Sequence, residues 1–336
     1  MIEIDGSFGE GGGQILRTCL TLSSLLGKPF RIRGIRSNRE NPGLQAQHLA
    51  SVRLMKMLTD ARVKGDYLGS TELEFEPGPI REGEFSIDVG TAGSVSLVAV
   101  TAIPIMINRR IALRIRGGTD VPLAPPIDYM RLVFLEVLEM AGIKGEIEVV
   151  RRGHYPQGGG EVIVKEFRGN LEEFSFNEFG DLKEISGISH STSLPTHIAR
   201  RQIDGAREIL ADLNVPLKVI EDVTTPGSKG TGIVLVARGK SIMGSSNLGE
   251  KGVMAETVGR IAAQELVREL RSGGAVDSHM SDMLVTFSAM ANVDYTGSIL
   301  TPHVETNVQV VKKFINAELS LQGRSPFRLK SRVQAR

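Results

Sequence analysis

The chain has 336 residues, 41% hydrophobic and 24% charged, a make-up that fits a globular protein with length enough for two domains. Forty basic and 39 acidic side chains leave a formal net charge of +1, so no whole-molecule field draws it to nucleic acid or to a membrane, and a polyanion would have to meet a local patch. A single cysteine, Cys19, excludes a disulfide framework and a thiolate zinc site and suits a reducing cytoplasm; 38 glycines beside no tryptophan make the placement of glycine the question to follow.

The opening Met-Ile-Glu-Ile-Asp-Gly has neither the basic leader nor the apolar core of a signal peptide. A short strand is predicted at Ile2–Ile4, followed by the glycine loop 6–13 and a helix from Gln14 to Leu26 with a wide apolar face at 15, 16, 19, 20, 22, 25 and 26. Gly27 and Pro29 end that helix. A strand at Phe30–Ile35, a helix at Leu44–Leu58 and strand-like alternation at Glu72–Phe75 complete a first unit. A second unit follows in the same order. It has a strand at Phe85–Val89, the loop Gly90-Thr-Ala-Gly93, a helix from Ser94 to Ile107 and a strand at Ile111–Arg116. A helix at Ile127–Met140 and strands at Glu146–Arg151 and Glu161–Lys165 close it. The apolar run 94–108 falls short of the ~20 residues of a membrane span and is broken by Pro104, so it reads as a buried helix.

The third unit is expected to start near Ser278, with a helix Met280–Ala291, a strand Tyr295–Leu300, a helix Val304–Ala317 and Phe327–Lys330 closing the sheet. The predicted architecture is therefore α/β (α+β), three βαβαββ units whose helices bury against one another, with residues 1–182 and 273–336 forming one large domain. Residues 183–272 have their own pattern: strands near Glu184–Ser189, Leu217–Asp222 and Gly232–Arg238, and helices His197–Leu213 and Val253–Leu270. They read as a smaller inserted α/β domain.

Three segments carry candidate chemistry. Glycines ahead of a helix, as in Gly9-Glu-Gly-Gly-Gly-Gln14, let backbone approach a phosphate at a helix N-terminus, and Glu10 among them can hold a divalent metal. The spacing is neither a dinucleotide fingerprint nor a Walker A loop. In Arg31-Ile-Arg-Gly-Ile-Arg-Ser-Asn-Arg39, Arg31 and Arg33 share a solvated strand face, whereas Arg36 and Arg39 lie in the loop where guanidinium groups clamp phosphates. His303, in Thr-Pro-His-Val-Glu-Thr-Asn307, stands at a loop-to-helix junction and is the candidate nucleophile, with Asp282 and Asn307 as candidates to orient it. His154 and His197 carry no supporting pattern, His190 reads as a strand-edge polar group, and no metal-ligand cluster of the His/Cys type is evident.

The segments DGSFGEGGGQILR (5–17), IRSNRENPGLQAQH (35–48), DVGTAGS (88–94), RGGTDVPLAPPIDY (116–129), YPQGGGEV (155–162), HMSDMLVTFSAMA (279–291) and TPHVETN (301–307) resemble the RNA 3′-terminal phosphate cyclase family over nearly the whole chain. The resemblance implies three βαβαββ repeats with a small domain inserted before the third. It also implies a reaction in which a histidine takes AMP from ATP, passes it to an RNA 3′-phosphate, and lets the vicinal 2′-hydroxyl close a 2′,3′-cyclic phosphate. The family's nucleophile falls on His303. The resemblance further places Glu10 on the metal (Mg or Mn) or triphosphate, Arg17, Arg36 and Arg39 on phosphates, and Gln47 in a hydrogen bond within the site. Asp282 falls beside nucleotide and nucleophile, and a proline, Pro125 or Pro126, on one adenine face. His279 stands where many members have tyrosine, and Val100 where they often have glutamine. Competing expectations are a non-catalytic RNA-binding or ribosome-assembly protein on the same scaffold, against which His303 speaks, and a carboxyvinyl transferase, which stacks six repeats where this chain has room for three. A homodimer is expected on base rates alone.

Overall fold

The computed structural model describes residues 1–333. The architecture is mixed α/β, with four four-stranded mixed sheets. The first holds β1 (Ile2–Asp5), β2 (Phe30–Arg33), β4 (Glu72–Glu76) and β3 (Arg62–Lys64) in that spatial order; β1 and β2 are parallel and the other pairs antiparallel. The second repeats the arrangement with β5 (Gly83–Asp88), β6 (Ile111–Gly117), β8 (Gly160–Gly169) and β7 (Ile143–Arg151). The third does so with β9 (Glu173–Phe176), β14 (Asn292–Gly297), β16 (Phe327–Val333) and β15 (Ala317–Gly323).

The third sheet corrects the sequence reading. Its first strand is β9, far upstream of Ser278, and runs parallel to β14. Phe327–Val333 is an inner strand rather than a closing edge, and the edge is Ala317–Gly323, of which the sequence reading assigned only Ala317, as the last residue of a helix.

The helices form where periodicity and caps agree. α1 (Gly13–Leu26) buries Ile15, Leu16, Cys19, Leu20 and Leu22 and stops at Gly27, whose φ of 64° suits a residue without a Cβ. α3 (Val95–Met106) is buried on nearly every side, and its Ser94 hydroxyl accepts the Leu97 amide at 3.2 Å as an N-cap. α9 (Pro302–Phe314) has Thr301 as N-cap, Pro302 in its first turn and Lys312 and Lys313 in its last, which suits the helix dipole at both ends. α1 packs against α2 (Ala46–Thr59), α3, α8 (Ser278–Phe287) and α9, so the helices of three sheets meet around it. Phe30 of β2 lies edge-on to Phe314 of α9 at 6.1 Å, and the Thr21 hydroxyl donates to the Thr101 carbonyl at 2.7 Å between α1 and α3. Each fully buried Leu or Phe there is worth about 1.5–3 kcal/mol of apolar transfer.

The helix expected at Ile127–Met140 is α4 (Ile127–Tyr129), a π-turn at Met130–Phe134 and α5 (Leu135–Met140). The fourth sheet orders β11 (Leu217–Asp222), β10 (Glu184–Thr192), β12 (Gly230–Arg238) and β13 (Ile242–Leu248), covered by α6 (His197–Leu210) and α7 (Ala255–Arg271). It has a separate apolar core, with Ile185, Leu235 and Met243 facing Ala206, Leu210, Ala262 and Leu266. Among the described residues, no helix is long and apolar enough to cross a membrane.

Candidate active site

Helix starts from different sheets converge on one region. At α1, Gly12 and Gly13 leave room for two neighbours. A Cβ on Gly13 would lie 2.0 Å from His48 Nε2, and one on Gly12 would lie 3.4 Å from an Arg39 guanidinium nitrogen. His48, in the first turn of α2, is buried, and its Nδ1 accepts the Gln45 amide at 3.1 Å. Burial first, then the charges of Arg17 and Arg36, push the His48 imidazole down to about 3, so it stands neutral.

Around this cradle lie the charged groups. Glu10 Oε2 is 3.5 Å from His303 Nε2 and 3.6 Å from Arg39. Arg17 is half-buried and has no carboxylate partner among the described residues, and burial lowers it to about 10. His303 is held below its ordinary value, chiefly by burial, then by the charges of Arg17, Arg39 and His279, with Glu10 acting the other way. Asp282 is pushed up to about 7, mainly by burial and further by the negative charges of Asp277 and Glu10, while the Thr301 hydroxyl that donates to it opposes the rise.

The sequence-nominated residues fall into groups. Glu10, Arg17, Arg39, His279, Asp282 and His303 act on one another electrostatically. Gln47 accepts the Ser94 amide at 3.1 Å and so ties the start of α2 to that of α3. Arg36, at φ 53°, spends its Nη1 on the carbonyls of Asn41 and Gly43 and shapes its own loop. His279 lies edge-on to Tyr129 at 6.0 Å, and the Tyr129 hydroxyl donates to Asp277 at 2.6 Å. Pro125 is half-buried and Pro126 buried just before Tyr129, so Pro125 is the proline with surface to offer. Val100 is half-buried against the core. Arg31 and Arg33 pair with Glu3, Glu72 and Glu74 on the strand face, as expected of a solvated sheet surface.

Neither expected orienting group holds the His303 ring. Asn307 accepts the Thr18 hydroxyl at 2.8 Å and gives its amide to the Asp282 backbone at 3.4 Å, the Asp282 carboxylate takes Thr301, and Glu10 is the group at Nε2. Sequence reading assigned His48 no role; the steric signal was the bare Gly13 it packs against.

A second cluster overturns the expectation that no His-containing metal-ligand group exists. Asp120, His154 and His190 bring potential ligand atoms within 4.8 Å of one another, all buried. His190 sits on β10, an inner strand, rather than at a sheet edge.

A loop of glycines at a helix start, an arginine with no carboxylate partner among the described residues and a histidine beside a carboxylate are groups of the kind that can receive phosphate oxygens. The sequence profile of the RNA 3′-terminal phosphate cyclase family matches residues 8–321, and the chain belongs to that family. It is 68% identical over 330 residues to the RNA 3′-terminal phosphate cyclase of Metallosphaera sedula, covering 98% of this chain and 99% of that relative. It is also 53% identical over 336 residues to the protein of that name from Saccharolobus islandicus strain L.S.2.15 (99% and 100% covered), and 54% over 330 residues to that of Sulfolobus acidocaldarius (97% and 98%).

Proposed function

We propose that the chain uses ATP to convert an RNA 3′-terminal phosphate into a 2′,3′-cyclic phosphate, with His303 as the nucleophile. The observation that carries this reading is His303 Nε2, kept neutral by burial and by Arg17 and Arg39, lying 3.5 Å from Glu10 beside the glycine start of α1. Neutral imidazole has the lone pair that attack on phosphorus needs, and the cations that lower its proton affinity also receive phosphate oxygens. In the first step the Nε2–P bond to the α-phosphorus of ATP forms and the bond to the β-phosphate bridge breaks, so pyrophosphate leaves. In the second, an oxygen of the RNA 3′-phosphate takes the adenylyl group and frees the imidazole. In the third, the 2′-oxygen attacks the 3′-phosphorus, AMP departs with its electron pair and the hydroxyl proton is lost. Glu10 alone cannot enclose an ion, but one carboxylate plus phosphate oxygens is how Mg²⁺ or Mn²⁺ is commonly held; such an ion would neutralise charge on the departing pyrophosphate. Arg17, Arg36 and Arg39 would serve the phosphates and shape their loop, Gln47 would brace the start of α3, and Pro125 and His279 would flank the base, with Asp282 beside the nucleotide.

The sheet pattern supports reading the first three sheets as one βαβαββ repeat used three times, the third interrupted after β9. The separate core of the fourth sheet supports residues 183–272 as an inserted domain within a catalytic body of 1–182 and 273–336. With α-labelled ATP and magnesium, acid-labile label should stay on the protein, vanish in His303→Ala and be discharged by RNA ending in a 3′-phosphate, yielding the cyclic end. Label retained by His303→Ala, or tight RNA binding with no adenylylation, would overturn the proposal.

A further inference from the structure

We propose that Asp120, His154 and His190 form a buried site for one divalent transition-metal ion of the zinc class, which joins the second sheet to the fourth. Asp120 begins the loop after β6, His154 follows β7, and His190 lies on β10; they are 2%, 4% and 1% exposed. The loop after β6 is fastened to the His154 segment by the Asp120 amide, which donates to the Gly153 carbonyl at 3.0 Å.

The argument is one of protons. His154 Nδ1 is 2.9 Å from the Ser228 carbonyl, which only accepts, so Nδ1 carries the proton and Nε2 of the neutral ring is bare. His154 Nε2 is 2.9 Å from His190 Nε2. If a hydrogen bond explained that distance, the His190 proton would sit on Nε2. His190 Nδ1 would then be a bare, buried lone pair 4.0 Å from the Asp128 carboxylate, and it has no hydrogen-bond partner. Asp120 Oδ1 is likewise buried without a partner and lies 3.9 Å from His190 Nε2, too far for a hydrogen bond. Two orphaned atoms in one cluster are costly.

An ion between the rings gives Asp120 Oδ1 a partner and replaces the bare His190 Nδ1 lone pair facing Asp128 with an N–H. Its bonds of about 2.0–2.2 Å allow two donors on one ion to stand up to roughly 4.2 Å apart, which covers 2.9 Å between the nitrogens and 3.9 Å to the carboxylate oxygen. Asp120 Oδ1 becomes a ligand, while Oδ2 keeps its hydrogen bond from the Thr119 hydroxyl at 2.6 Å. The His190 proton moves to Nδ1, where it faces the Asp128 carboxylate across 4.0 Å as a charge contact rather than a hydrogen bond, and the His154 proton already rests on the Ser228 carbonyl, the outer partner that metal-bound imidazoles use. Charge agrees. Asp120, Asp128 and Asp222 all bond to Arg152, at 3.4, 2.8 and 2.8 Å, and Arg131 adds one contact to Asp128 at 3.0 Å, so three carboxylates meet two guanidinium groups. Two imidazoles exclude magnesium and calcium, which prefer oxygen, and favour zinc or its neighbours.

The test uses the full chain without a histidine tag. Chelator-stripped protein is loaded with zinc, freed of excess by gel filtration and assayed by elemental mass spectrometry. About one ion per chain is expected for the wild type and for His303→Ala, below about a tenth for Asp120→Asn and His190→Ala, and zinc should raise the melting temperature of the wild type. Cobalt(II) on the wild type, which needs no substitution, should show the intense visible bands of a low-coordinate nitrogen–oxygen site. No retained zinc in the wild type, retention in Asp120→Asn and His190→Ala equal to that of the wild type, or a cobalt spectrum like that of the aqueous ion would each overturn the proposal.

Discussion

Gly13→Ala probes the cradle at the start of α1. The added Cβ would sit 2.0 Å from His48 Nε2, 2.4 Å from its Cδ2 and 3.1 Å from an Arg17 nitrogen. The ring is 4% exposed and fixed at Nδ1 by the Gln45 amide, so it cannot simply swing into solvent. Pushing it back by more than an ångström costs about 1–3 kcal/mol of overpacking and about 0.5–1.5 kcal/mol for the loosened hydrogen bond. Alanine's better helix propensity returns less than about 1 kcal/mol. A net loss of about 1–3 kcal/mol should appear in urea unfolding as a lower midpoint with an unchanged slope. His48→Ala empties the space the methyl needs, so the double variant should be no less stable than His48→Ala alone, a coupling opposite in sign to the single cost. Label transfer from ATP should fall with Gly13→Ala because Arg17 is displaced. A Gly13→Ala midpoint equivalent to less than about 0.5 kcal/mol of change, or strict additivity with His48→Ala, would refute the steric reasoning.

Two further outcomes follow from the perturbed groups. In the proposed mechanism only unprotonated His303 attacks phosphorus, and its proton affinity is lowered; the acid limb of kcat/KM for adenylylation should therefore fall below pH 6.5, and Glu10→Gln, which removes the opposing charge, should move it lower still; a limb at or above 6.5 in the wild type would contradict this. Asp282 titrates near 7 when folded against 3.8 ordinarily, so the unfolded chain holds fewer protons between those values and stability falls as pH rises through them. At about 1.4 kcal/mol per unit, and with about two units between pH 5 and the folded value, Asp282→Asn should gain up to about 2.7 kcal/mol on the wild type from pH 5 to pH 8, read by urea unfolding at both; an equal offset at the two pH values would count against it.

Much of the fold could be read from pattern. α1 and α3 advertise themselves by apolar periodicity and end signals, and all strands of the first two sheets but Arg62–Lys64 follow from apolar alternation; that one, three residues long, carries too short a pattern to read. Glu173–Phe176 could not be read that way, since four residues, Glu-Phe-Ser-Phe, give two alternations and their partner lies far along the chain. Ile242–Leu248 hid for another reason: Gly-Ser-Ser-Asn at its centre resembles a loop, and only burial between β12 and α7 makes it a strand. Glu10, Arg36, Arg39 and His303 are local to three loop motifs, which is why pattern could name them, whereas Arg17, Gln47, Pro125, Pro126 and His279 came from the family resemblance. The relations among them are tertiary, and so Glu10 rather than Asn307 at the imidazole came only with the structure. Asp120, His154 and His190 belong to three elements with no ligand spacing between them; the one signal was a histidine in the uncharged run 187–192.

The register of β9 bears on how the chain is made. Glu173 pairs with Asn292, a loop of about 120 residues whose closure entropy must be met before that pairing stabilises anything. During synthesis β9 therefore leaves the ribosome long before its partner. Its exposed edge is spared a long wait as a lone template only if the intervening segment collapses on its own core and draws the two ends together. His303 emerges later still, and Glu10, at the other end of the chain, has no histidine to face until then. A product truncated before His303 would thus hold the glycine cradle without the proposed nucleophile, and adenylylation would report that translation has passed residue 303.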